Sequence, residues 1–105
     1  DILMENTDPE YSTVQLDWFW VFEGGRDPVE LFKKYPGRFE LAHMRDLHNS
    51  RHGGSACPGQ GVLDFAPIIK TARKKGGTRY FIVEHPAADG IECARVSYGY
   101  LSKIM

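Results

Sequence analysis

Two cysteines, Cys57 and Cys93, are all the thiols that 105 residues contain. So few exclude a disulfide-framework fold, and reduced side chains in a cytoplasmic protein are the expectation. An excess of one charge is also lacking. Thirteen Lys and Arg stand against 14 Asp and Glu, a formal net charge of −1, so nothing in the charge balance calls for nucleic acid as a partner. No apolar run approaches the roughly 20 residues of a membrane-crossing helix, so no membrane partner is expected. The glycines form neither a helix-opening GxGxxG nor a Walker pattern, which removes the common phosphate-cradling loops. The chain starts at Asp1 without a signal-like stretch, and a targeting segment is expected to be absent or removed.

What is present suits one small globular unit: 42% of the residues are hydrophobic, enough for a core. Residues 1–13 are polar and irregular, with Asp8 and Pro9 able to open a short turn. Residues 14–22 are almost continuously apolar and aromatic and read as a strand covered on both faces. On that reading Trp18 and Trp20 point together, away from Asp17, and at least one packs under a helix. Asp27-Pro28-Val29-Glu30 opens a helix with a capping residue and a first-turn proline, and Pro36-Gly37 ends it. Residues 39–46 read as a buried strand. The stretch 47–61, with His48, Arg51, His52 and four glycines, is a long loop near the functional face. Its histidines read as solvated side chains. Asp64 caps a helix over 65–75, residues 79–85 form a third buried strand, and Asp89 caps a last helix. In that helix Ala94, Ser97, Tyr98, Leu101 and Ile104 recur at helical spacing on the inward side.

Alternating strand and helix is the pattern of parallel α/β folds, in which functional residues gather at the C-terminal ends of the strands. Asp17, His43 and Glu84 fall at or near three such ends. A carboxylate inside an apolar run is costly unless paired or bound to a metal, although Asp17 could also cap a neighbouring loop. His43 closes its own apolar row, as a ligand or acid–base group, or as an imidazole satisfied by a backbone carbonyl. One imidazole and two carboxylates suit a divalent ion such as Mn²⁺, Co²⁺, Mg²⁺ or Zn²⁺. Such a site could stabilise an enediolate while a neighbouring base moves a proton, and Glu84 could be both ligand and base.

Six segments occur in order: Val14-Gln15-Leu16-Asp17-Trp18-Phe19-Trp20-Val21, Asp27-Pro28-Val29, Tyr35-Pro36-Gly37-Arg38, Leu41-Ala42-His43-Met44-Arg45-Asp46, Gly59-Gln60-Gly61-Val62-Leu63-Asp64-Phe65 and Phe81-Ile82-Val83-Glu84. Together they resemble the sugar phosphate isomerase/epimerase family, the xylose-isomerase-like group of TIM barrels. The resemblance implies an α/β fold in which residues 1–105 are the C-terminal half of a (β/α)8 barrel, incomplete at this length because such a barrel takes about 250 residues. It implies Asp17, His43 and Glu84 as metal ligands and Glu84 as one of two acid–base glutamates. It gives Arg45 as a substrate contact and Asp46 as the residue that orients the site from behind. Trp20 stands where a ketose epimerase has His, and lines either the sugar pocket or the core. The family's other metal-binding Glu lies on an earlier strand that this chain lacks.

The function expected on these grounds is a metal-dependent isomerase or epimerase of a sugar or sugar phosphate. Alternatives are a lyase or hydrolase of glycosides or phosphoesters using the same metal, or an inactive fragment that survives by self-association. The 105 residues alone are expected to lack isomerase activity. Unpaired strand edges would invite pairing with another chain, so a homo-oligomer is a further expectation.

Overall fold

The computed structural model describes residues 1–49 and 52–105. Along the chain run α1 (Ile2–Glu5), β1 (Gln15–Asp17), α2 (Trp18–Glu23), α3 (Pro28–Lys34), β2 (Leu41–Met44), β3 (Asp46–Leu47), β4 (Ser55–Ala56), α4 (Phe65–Thr71), β5 (Tyr80–Val83) and α5 (Gly90–Ile104). A π-helical turn, Ala72–Gly76, prolongs α4. Strands β1, β2 and β5 form one parallel sheet with β2 in the middle, in the registers Asp17 opposite His43 and His43 opposite Ile82. Strands β3 and β4 make a small antiparallel ribbon inside the stretch expected to be irregular. Arg51, named in that stretch, lies outside the described residues.

The first strand is shorter than its sequence suggests. It stops at Asp17, and the aromatic run that follows is helical. The Asp17 carboxylate accepts a hydrogen bond from the Trp20 amide (3.2 Å) and so caps α2. The cap and the packing of Trp18 override the strand preference of Trp-Phe-Trp-Val-Phe. Positions two apart on a helix are separated by about 200°. Trp18 and Trp20 therefore do not point together: Trp18 is fully buried and Trp20 is 60% exposed.

Local signals fix the other helices unevenly. Asp27 caps α3 by accepting from the Val29 amide at 2.8 Å, with Pro28 in the first turn. Asp64 precedes α4 but its side chain makes no capping bond. Asp89 caps α5 through the Glu92 amide at 3.0 Å. On the solvent side of α5, the Arg95 guanidinium bonds Glu92, and this bond holds the Glu92 carboxyl below its usual range. The buried stripe of α5 is Cys93, Ser97 and Leu101, whereas Ala94 and Tyr98, expected inward, face out.

Cys57 and Cys93 are joined by a disulfide, with Cα atoms 5.7 Å apart across 36 residues of sequence. This overturns the reading of two reduced thiols. The chain beyond β4 returns against the first turn of α5, and no feature of sequence spacing announces that approach.

The core lies between the sheet and the helices on one side of it. Trp18, Phe32, Phe39, Met44, Phe65, Ile69 and Leu101 fill it. Trp18 meets Phe65 edge-on with ring centres 5.4 Å apart, an arrangement favoured by the ring quadrupoles. At the N-terminal end of the sheet, backbone bonds join the turn before β2 to the end of the π-helical turn. Gly37 N–H donates to Lys75 O and Phe39 N–H to Gly76 O, both at 2.9 Å. The Thr78 hydroxyl donates to Phe39 O at 2.7 Å. Gly76 is required there, because a Cβ would lie 2.7 Å from Phe32 Cδ1. Among the described residues, no helix is long and apolar enough to cross a membrane.

Candidate metal centre

Parallel register brings three chemically capable side chains to one rim. Asp17 ends β1, His43 sits opposite it in β2, and Glu84 follows β5, its N–H donating to Met44 O at 3.3 Å. Each offers one ligand atom, and all three atoms lie within 4.8 Å of one another. His43 Nδ1 stands 3.6 Å from Asp17 Oδ2. Two ligands about 2.1 Å from a shared ion are separated by roughly 3.0–3.4 Å, so this spacing suits a common cation. The two Asp17 oxygens divide their work. Oδ1 caps α2, and Oδ2 faces His43 and Arg45.

Arg45 lies across the acidic pair. Its guanidinium bonds Glu84 Oε2, and its Nε is 3.9 Å from Asp17 Oδ2. The same group stacks over Phe19 at 5.4 Å and Trp20 at 6.0 Å from the ring centres, in cation–π range. Phe19 and Trp20 pack edge to face, 4.9 Å between centres. Trp20 thus belongs to the rim rather than the core, with its outer face open to solvent.

Asp46, the residue expected to orient the site from behind, anchors backbone there. Next to β2 it occupies the face opposite His43 and is fully buried. Its carboxylate accepts from the amides of Leu47 (2.8 Å), Gly59 (3.1 Å), Gly61 (3.0 Å) and Leu63 (3.0 Å). It is the peg around which the loop after β4 is wound.

Sequence reasoning missed three contacts around the rim. The Gln15 side-chain amide meets His43 Nε2 at 2.5 Å. Strand periodicity could have found it, since Gln15 shares a face with Asp17 two residues on. Ser55 Oγ lies 3.0 Å from His85 Nδ1, linking β4 to the residue after Glu84. His52, expected to be merely solvated, holds Glu23 at two points: its amide donates to Oε2 (2.9 Å) and its ring Nδ1 lies 2.6 Å from Oε1. His48 is exposed.

No family model matches the chain. An inosose dehydratase of Lacticaseibacillus casei is 28% identical over 125 aligned positions, covering all of this chain and 42% of the relative. A crystal structure of a sugar phosphate isomerase/epimerase from Parabacteroides distasonis superposes with a TM-score of 0.76 at 31% identity, over 95% of this chain and 34% of that one. A xylose isomerase domain protein from Alicyclobacillus acidocaldarius shares the fold, with a TM-score of 0.65 at 18% identity over 88% of this chain and 36% of that one. The chain spans about two fifths of the matched dehydratase and about a third of the matched structures. Its three parallel strands, their helices and their rim are thus part of a (β/α)8 barrel, similar over the stretch it spans to the sugar phosphate isomerase/epimerase of known structure.

Proposed function

We propose that this chain supplies the metal-holding rim of an enzyme that moves a proton on the carbon beside a sugar carbonyl. The observation that carries the proposal is the convergence of Asp17, His43 and Glu84 within 4.8 Å at the C-terminal ends of parallel strands. An imidazole nitrogen and two carboxylates suit Mn²⁺, Co²⁺, Mg²⁺ or Zn²⁺, with coordination positions left for substrate oxygens. Bound there, a divalent ion would polarise the carbonyl and stabilise negative charge on the oxygens of an enediolate.

The remaining work belongs to the side chains. Glu84 is the proton acceptor. Its bond to Arg45 holds the carboxylate at the rim, and the guanidinium is positioned to share itself with a hydroxyl or phosphate oxygen of the substrate. Phe19 and Trp20 offer an apolar shelf for the carbon face of a sugar. The substrate is a sugar or sugar phosphate. In an isomerase or epimerase the proton returns to the substrate. In a lyase a neighbouring hydroxyl leaves instead, and the likeness to inosose dehydratase favours this second reading. Both begin with the same abstraction by Glu84.

The chain forms the C-terminal half of its barrel on this reading. A second acid–base group and a further ligand would come from other strands. Exposed Tyr80, Ile82 and Val83 in β5 and Tyr98 in α5 mark an edge suited to the rest of the barrel or to a second copy. The 105 residues alone should therefore bind metal and not turn over sugars. Titration calorimetry with Mn²⁺ or Co²⁺ should find one site, weakened at least tenfold by Glu84→Gln or Asp17→Asn; equal affinities would refute the rim as the metal site. Incubation with ketoses in heavy water should leave the sugar carbons unlabelled. Deuterium incorporation abolished by Glu84→Gln would show that the isolated chain is competent and overturn that part of the proposal.

A further inference from the structure

Gln15 and Asp17 flank Leu16 in β1 and so share one face of the sheet. The Gln15 side-chain amide lies with its nitrogen 2.5 Å from Nε2 of His43, while the other ring nitrogen, Nδ1, faces Asp17 Oδ2 at 3.6 Å. A neutral imidazole carries one N–H and one lone pair. Two arrangements satisfy the Gln15 contact, and they differ in what Nδ1 presents to Asp17. In the first, the Gln15 NH₂ donates to Nε2, and Nδ1–H points at Asp17. The ring then has no lone pair to offer the cluster. In the second, the Gln15 oxygen accepts Nε2–H, and the Nδ1 lone pair faces Asp17 and Glu84. The two ends of an amide have nearly the same shape, so one side-chain position accommodates either.

We propose that Gln15 is the positioning residue of this rim. Its amide oxygen holds Nε2–H, fixes the rotation of the ring, and turns the Nδ1 lone pair toward the point shared by Asp17 Oδ2 and the Glu84 carboxylate. The inference rests on the metal-site reading above and goes beyond it in naming the atom through which His43 binds. Ligating histidines are commonly held at the far nitrogen by a carboxylate or a backbone carbonyl. Here the holder is a neutral amide on the adjacent parallel strand. It adds no negative charge beside Asp17 and Glu84, so Arg45 faces two carboxylates rather than three.

The tautomer can be read without metal. Long-range proton–nitrogen NMR correlation of the ring, assigned with His43→Asn, should show Nε2–H in the metal-free protein at alkaline pH. Gln15→Met should shift the ring toward Nδ1–H, drawn by Asp17, whereas Gln15→Glu should keep Nε2–H. Wild-type protein with the proton on Nδ1 overturns the proposal. With Zn²⁺, the metal should bind at Nδ1. Gln15→Met should weaken binding about 10–100-fold, and Gln15→Glu should restore it. Zn²⁺ on Nε2, or Gln15→Met with unchanged tautomer and affinity, also overturns it. Wild-type protein that shows Nε2–H but takes up no Zn²⁺ refutes the metal site while supporting the Gln15 contact, so the two failures are distinct.

Discussion

Replacing Asp46 with Asn tests how the loop beside the rim is held. The buried carboxylate accepts four backbone N–H groups, two at each oxygen: Leu47 and Leu63 at Oδ1, Gly59 and Gly61 at Oδ2. Asn keeps the shape but turns one oxygen into a donor. Whichever way the amide lies, two of the four N–H groups then face another N–H. Each buried donor left unpaired costs about 1–3 kcal/mol, so the substitution should cost about 2–6 kcal/mol. The loop cannot close the gap by moving inward. A Cβ on Gly61 would already lie 2.2 Å from Leu47 O and 2.4 Å from Asp46 Cγ, so the backbone is at contact there. Against a typical domain stability of about 5–15 kcal/mol this is a large loss. With a urea slope of about 1–3 kcal/mol per molar, the midpoint should fall by roughly 1 M or more. Hydrogen exchange should localise the damage, with the amides of Gly59, Gly61 and Leu63 losing protection. An Asp46→Asn protein with the parent's urea midpoint and the parent's protection at those amides would refute the reasoning.

Trp18→Ala should destabilise the protein by about 3–5 kcal/mol in urea unfolding, since a fully buried indole packed on Phe65 and Phe81 leaves a cavity. Acrylamide should quench one of the two tryptophans readily, and Trp20→Phe should remove that accessible emission. Opening the Cys57–Cys93 link, which spans 36 residues, should cost about 4 kcal/mol on the chain-entropy account. Wild-type protein should then lose stability on adding reductant, and the double Cys→Ser variant should not respond.

Legibility in the sequence followed the range of the interactions involved. Asp27-Pro28 opens its helix as read, because a cap and a first-turn proline act within one turn. His43 and Glu84 stand at strand ends as read, because an apolar run closed by a polar group marks where a strand leaves the core. The boundary at Asp17 was misjudged. Trp18 and Phe19 carry strand-type preference locally, and only packing against Phe65 and the Asp17 cap makes them helical. The inward side of α5 was read as including Ala94 and Tyr98, yet the helix is turned to bury Cys93, Ser97 and Leu101. That rotation matches the cross-link at Cys93, a contact 36 residues distant that no local pattern encodes. Asp46 is legible as a polar residue behind the rim, whereas its partners are not, because they are backbone amides, which sequence does not label.

The bonds at the N-terminal end of the sheet have a consequence for anyone re-engineering this chain. Strands of three or four residues carry few ladder bonds of their own, and a slip of one position would exchange His43 for a neighbour that faces the core. The ties from Gly37, Phe39 and Thr78 to their partners stand at the far end of β2 and β5 from Glu84, and they count the residues out toward the rim like the zero mark of a ruler. New termini or insertions in the rim loops leave that origin untouched, so the loops can be exchanged while the ligands stay in step. Cutting the backbone between Gly76 and Thr78 removes the origin, and should misalign Glu84 with His43 without altering any residue of the rim.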